Sequence, residues 1–197
     1  MNLLKTILSI IGGVVILGFV FAFFKFDLGT RMGQASKLDP QAMNLYIAMA
    51  DSVLTTGNAA ESMTRRVKID EDVSTEDVID ALNSIATEDN LIIVGTSLMS
   101  NGKVDANGVK QPYIRLMSYC NPNIAKQFIS YSMAFGAFMP CRVAIIEDKN
   151  GDRWLYTMAL EMMISGGHTL PPKLLTMANN VKKTMYRMME LAAKGEF

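Results

Sequence analysis

An α+β fold is what this sequence predicts: a two-layer domain with an antiparallel or mixed sheet and helices on one face, plus one N-terminal transmembrane helix. Three observations predict it. Residues 6–24 form an apolar run without a single charge. Beyond them, short β-branched runs alternate with stretches whose apolar residues recur at helical spacing. Several of the β-branched runs are joined by hairpin-length turns. Strands joined that way pair antiparallel, and their helices layer on one side.

The N-terminal element comes first. Thr6 to Phe24 (TILSIIGGVVILGFVFAFF) is uncharged over 19 positions. At about 1.5 Å per residue it reaches roughly 28 Å, the thickness of a bilayer's hydrocarbon core. Lys5 and Lys25 bracket it and can snorkel to the two interfaces. Val20-Phe21-Ala22 weakly resembles a signal-peptide cleavage site. An apolar core this long exceeds the roughly 7–15 residues of such signals, so residues 1–25 are read as a retained anchor. Ser9/Gly13 and Gly18/Ala22 are small-xxx-small pairs that let another helix approach. Residues 26–60 are read as a juxtamembrane linker and helix, and residues 61–197 as the α+β domain. Lys25, Arg31 and Lys37 follow the span, which by the positive-inside rule favours a cytoplasmic body. A short leading tail with a globular C-terminal body is also a common design of exported bacterial proteins. The expectation is a bacterial inner-membrane protein with a periplasmic domain.

The remaining elements follow in order. Phe26 to Lys37 reads as linker. Asp39-Pro40 reads as a helix start, with Asp as N-cap, and Met43, Tyr46, Ile47, Ala50, Val53 and Leu54 as its periodic residues before a stop at Gly57. Met63 to Ile69 reads as a strand. Ser74, with Asp77 three residues on, opens a helix striped by Val78, Leu82, Ile85 and Ala86. Leu91 to Met99 reads as a central strand, Asn101 to Gln111 as a loop, and Tyr113 to Tyr119 as a strand. Asn121 caps a helix with Pro122 in its first turn, burying Ile124, Ala125, Phe128 and Ile129. Cys141 to Glu147 and Arg153 to Met158 form a hairpin about Asp148-Lys149-Asn150-Gly151. Pro171-Pro172 opens a long amphipathic helix marked by Leu174, Ala178, Val181, Met185, Met188 and Ala192.

Composition narrows the function. Of 197 residues, 19 are basic and 19 acidic, so the formal net charge is zero. A nucleic-acid binder needs a basic excess, and none is present. Two cysteines make neither a disulfide framework nor a four-cysteine zinc site. Asp148 to Asp152 is no calcium loop, because Arg153 stands where that loop needs glycine and Ala159 where it needs glutamate. Gly166-Gly167 lacks the lysine of a phosphate loop.

Three sets of residues are candidates for chemistry. Cys120 stands where a strand meets a helix N-terminus, and the helix dipole there favours a thiolate. Cys141 opens the next strand and comes near Cys120 if the two strands pair. The plain alternative is two small buried hydrophobes. His168, the one histidine, lies in the Ser165-Gly166-Gly167-His168 loop. With Met162, Met163 or Met177 it offers a soft ligand set for haem or copper. No Cys-x-x-Cys-His run exists, so covalent c-type haem is excluded. The 16 methionines otherwise read as adaptable core or as an adaptable partner surface.

Ile114-Arg115-Leu116 leads into Cys120-Asn121-Pro122, then Ala125, Gly136, Met139-Pro140-Cys141, Val143 and Glu147. This pattern resembles the domain-of-unknown-function family numbered 302, over roughly residues 63–191. The resemblance implies a compact α+β domain, with a dimer as its state, and supplies no established activity. Where that family has Asp-Pro after a methionine, this chain has Met158-Ala159-Leu160.

With no complete catalytic constellation in view, the leading reading is a noncatalytic, single-span membrane-anchored accessory or interaction subunit. Its partners would be the membrane and either a membrane protein or a second copy, with no nucleic acid and no cofactor. The alternatives are a redox or sulfur-handling protein using Cys120 and Cys141, and a haem- or copper-binding module.

Overall fold

The computed structural model describes residues 2–197. Its strands are β1 (Thr64–Lys68), β2 (Ile92–Asn101), β3 (Tyr113–Cys120), β4 (Cys141–Glu147) and β5 (Arg153–Met158). They form one antiparallel sheet in the order β1-β5-β4-β3-β2. The helices are α1 (Asn2–Lys25), α2 (Leu28–Ala35), α3 (Ala42–Thr56), α4 (Ala59–Ser62), α5 (Thr75–Glu88), α6 (Pro122–Tyr131), α7 (Glu161–Ser165) and α8 (Pro172–Ala192). The architecture is therefore α+β, with one N-terminal helix apolar enough to cross a membrane.

Local chemistry starts and stops these elements. Ser74 Oγ accepts from the Asp77 N–H at 3.0 Å, and Asp77 reaches back to the Ser74 N–H at 3.3 Å. That reciprocal pair satisfies two donors that the first turn of α5 otherwise leaves unpaired. Asn121 caps α6 the same way, accepting from the N–H groups of Asn123 and Ile124. The β4–β5 turn closes on Asp148, whose carboxylate accepts from the N–H groups of Asn150 and Asp152 and from Trp154 Nε1. Gly151 takes the left-handed conformation that this turn requires, at φ 86°.

The pleat decides which strand residues are buried. Met117, Tyr119, Val143, Ile145 and Leu155 share the helix side of the sheet. Against them pack Val78, Leu82 and Ile85 of α5 and Met185, Met188 and Met189 of α8. Each fully buried side chain of this size contributes about 1.5–3 kcal/mol through removal of apolar area from water. Met185, Met188 and Met189 of α8 are thus core residues.

Four expectations change. The 26–37 segment, read as linker, contains α2, whose Gly29 lies against the Phe23 ring of α1. Asp39 is not the cap of α3, which begins at Ala42 behind Gln41. Its carboxylate instead accepts from Thr169 Oγ1 at 2.9 Å and from the Gln41 N–H at 3.0 Å, while its own N–H donates to Gly167. Tyr46 Oη also donates to the Gly166 carbonyl, so α3 is fastened to the 166–169 loop. Third, β2 is an edge strand rather than a central one. A β-branched run announces a strand, but which neighbours it receives depends on chain topology. Fourth, residues 133–138, unassigned from sequence, wind into a 3₁₀ turn.

Candidate functional site: an apolar cleft between Cys120 and Cys141

The site is built by β3, α6 and the segment that returns to β4. Tyr119 pairs with Cys141 across the two strands, so Cys120 sits one residue further along, diagonal to Cys141. Asn121 follows, and its side-chain amide donates to the Asn90 carbonyl while its oxygen caps α6. One residue thereby locks the end of β3, the start of α6 and the turn before β2. Phe128 and Phe135 meet edge-to-face with centroids 5.1 Å apart and wall the cleft on the α6 side. The Met139–Pro140 peptide, which delivers Cys141 into β4, is cis.

The cleft has a volume of about 80 Å³. Cys120 and Cys141 both line it, together with Phe138, Met139, Leu160 and Met163. Both thiols are free and partly buried. Burial pushes the Cys120 thiol above its ordinary value. It pushes Cys141 further, to about 11, with the neighbouring Cys120 sulfur adding to the rise. Desolvation disfavours the charged form, so the direction at Cys120 is opposite to the lowered thiol expected from its position at a helix N-terminus. Beneath the cleft, Tyr119 is fully buried, donates to Asn83 Oδ1 at 3.1 Å, and has its phenol pushed up by the same desolvation.

The structure brings the two cysteines into one cavity, as the strand pairing predicts. It does not bring His168 to the methionines. His168 is exposed and lines an open depression beside Arg31 and Lys37. Met162 lies in a separate pocket with Met49 and Met158, and Met163 reaches both that pocket and the cleft. Met177 packs at the edge of the core. Among the described residues, no three His, Cys, Asp or Glu side chains are placed to share a metal ion. The aromatic wall went unseen in the sequence, although Phe135 and Phe138, three apart in a 3₁₀ turn, fall on one face.

The model of the family described as Domain of unknown function DUF302 matches residues 65–192. Among solved structures, the chain is similar to the crystal structure of an uncharacterized conserved DUF302 protein from Bacillus stearothermophilus. The two share 16% identity at a TM-score of 0.51, over 65% of this chain and 96% of that one, a likeness of fold. No curated protein matches the chain.

Proposed function

The chain belongs to the DUF302 family, and we propose from that premise that this member is a single-span membrane-anchored accessory or interaction subunit without chemistry of its own. The observation that carries the reading is β2. Edge strands are normally blunted by charge, because their free N–H and C=O groups invite pairing. β2 runs ten residues (IIVGTSLMSN) at the sheet edge with no charged side chain. Its Ile92, Ile93, Val94, Leu98 and Met99 are 46–66% exposed. An apolar edge of this kind suits a protein partner. α1 supports the membrane placement: none of its apolar stretch is buried within the fold, and only its end, at Phe23, meets α2. The body is assigned to the periplasmic face of a bacterial inner membrane.

The test is extraction in mild detergent, followed by photo-crosslinking from position 98. The expected result is one stoichiometric membrane-protein adduct, lost in the Leu98→Lys/Met99→Lys variant. A chain that runs alone and crosslinks to nothing would end the reading. Protection of the body from protease in intact cells, and its loss once the outer membrane is opened, checks the assigned side.

A second reading is favoured by the shared cleft: thiol chemistry with Cys120 as nucleophile and Cys141 as resolving residue. Two electrons and two protons would pass to a disulfide partner as the pair oxidises. Thiol counts with and without reductant decide it. Two titratable thiols in both states remove it.

A further inference from the structure

We infer that the depression between α2 and the 166–169 loop is a headgroup site for an anionic phospholipid, a placement that rests on α1 spanning the bilayer. Arg31, Gln34, Lys37 and His168 line this depression, whose volume is about 530 Å³. Arg31 and Lys37 form no ion pair among the described residues. Their side chains make no hydrogen bond there either, and both residues are exposed. From residue 25 to 38 the chain carries Lys25, Arg31 and Lys37 against one carboxylate, Asp27. The nearby Asp39 carboxylate accepts from Thr169 and the Gln41 N–H and, among the described residues, forms no ion pair with either cation.

The arrangement is held in place. The Asp39 N–H bonds to the Gly167 carbonyl at 2.8 Å, which fixes Lys37 beside His168. α2 follows the span after a two-residue turn at Phe26-Asp27, so Arg31 lies within one short helix of the bilayer boundary. A guanidinium fork donates two N–H groups to a pair of phosphate oxygens, an ammonium adds charge, and the Gln34 amide suits a headgroup hydroxyl. The bilayer delivers such a phosphodiester at high local concentration, whereas free phosphate arrives only by diffusion. The consequence is mechanical: the body is docked onto the surface through α2 instead of swinging on its tether.

The test reconstitutes the full chain in nanodiscs of phosphatidylcholine, with and without phosphatidylglycerol. Flotation reports anchoring, and hydrogen exchange over residues 28–38 and 166–170 reports docking. The expected result is flotation in both compositions, with added protection of both segments only where phosphatidylglycerol is present. Each Lys or Arg near an anionic surface contributes about fivefold in affinity. Arg31→Gln with Lys37→Gln should therefore weaken the phosphatidylglycerol dependence about 25-fold. These side chains are exposed, so the fold survives, and unchanged exchange in the α8 core checks that. Three results overturn the site while leaving the anchor intact: equal protection in neutral discs, an unaffected double variant, or the same protection from inorganic phosphate in neutral discs. Failure to float in either composition overturns the anchor and this site together.

Discussion

Alkylation of Cys141 is the sharpest probe of the cleft. The perturbation is iodoacetamide applied to the reduced parent chain, with the initial rate at the Cys141 peptide followed separately from that at Cys120. Burial raises that thiol from an ordinary 9.0 to about 11. The thiolate is the attacking species, so its fraction at neutral pH falls about 100-fold relative to an unperturbed thiol. A more basic thiolate is intrinsically more nucleophilic, and a Brønsted slope near 0.4–0.5 restores roughly tenfold. Ionisation alone thus slows the reaction about tenfold, and partial burial slows it further. The rate should keep climbing tenfold per pH unit to about pH 10. The same burial links to stability. Because the folded state holds the proton that the unfolded state releases, the Cys141 contribution is complete below pH 9.0 and is lost as pH rises toward about 11. That loss amounts to about 2–3 kcal/mol. Mass spectrometry of the alkylated peptide and alkaline urea melts measure both. A rate matching that of a free peptide thiol, or a plateau near pH 8.5, would refute the desolvation argument.

Three further outcomes follow from the packing. Asp39→Ala removes the acceptor for Thr169 Oγ1 and the Gln41 N–H, and should raise amide exchange across α3 while costing about 1–2 kcal/mol globally. Exchange confined to its previous level would show that α3 is held by other contacts. Glu147→Ala removes a carboxylate that accepts from the Tyr113 N–H at 3.1 Å and pairs with Lys110; urea denaturation should show a loss of about 1–3 kcal/mol. Those partners also hold the Glu147 carboxyl below its ordinary 4.5, so its contribution in the parent chain is present above that value and is lost as pH falls through the lower folded value. Met188→Ala empties a fully buried position of α8, and calorimetry or urea melts should show a loss of about 2–5 kcal/mol.

Much of the architecture was legible because its signals are local. A helix start needs only a few adjacent residues, so Ser74-x-x-Asp77 and Asn121-Pro122 announced α5 and α6. The hairpin turn at 148–151 was equally readable, because Asp148 satisfies backbone groups two and four residues away. The uncharged run of α1 and the apolar stripe of α8 declared themselves by composition and period alone. The Cys-Asn-Pro and Pro-Cys pair pointed to the family and to strands that would bring two sulfurs close.

Other properties were settled by parts of the chain that meet only on folding. Asp39 looked like a helix cap because capping residues are recognised by type; it does bond locally to the Gln41 N–H, but its other partners, Gly167 and Thr169, lie some 130 positions away. β2 looked central because β-branched residues report strand formation and not strand neighbours. Cys120 looked acidic because a helix N-terminus is visible in sequence, while the aromatic wall that desolvates it is not. His168 and the methionines lie close in sequence yet line different pockets. Sequence by itself determined the elements and their order, since these rest on interactions within a few residues. Tertiary structure alone decided burial, and with it the protonation of the thiols, because desolvation is the joint work of surfaces far apart in the chain.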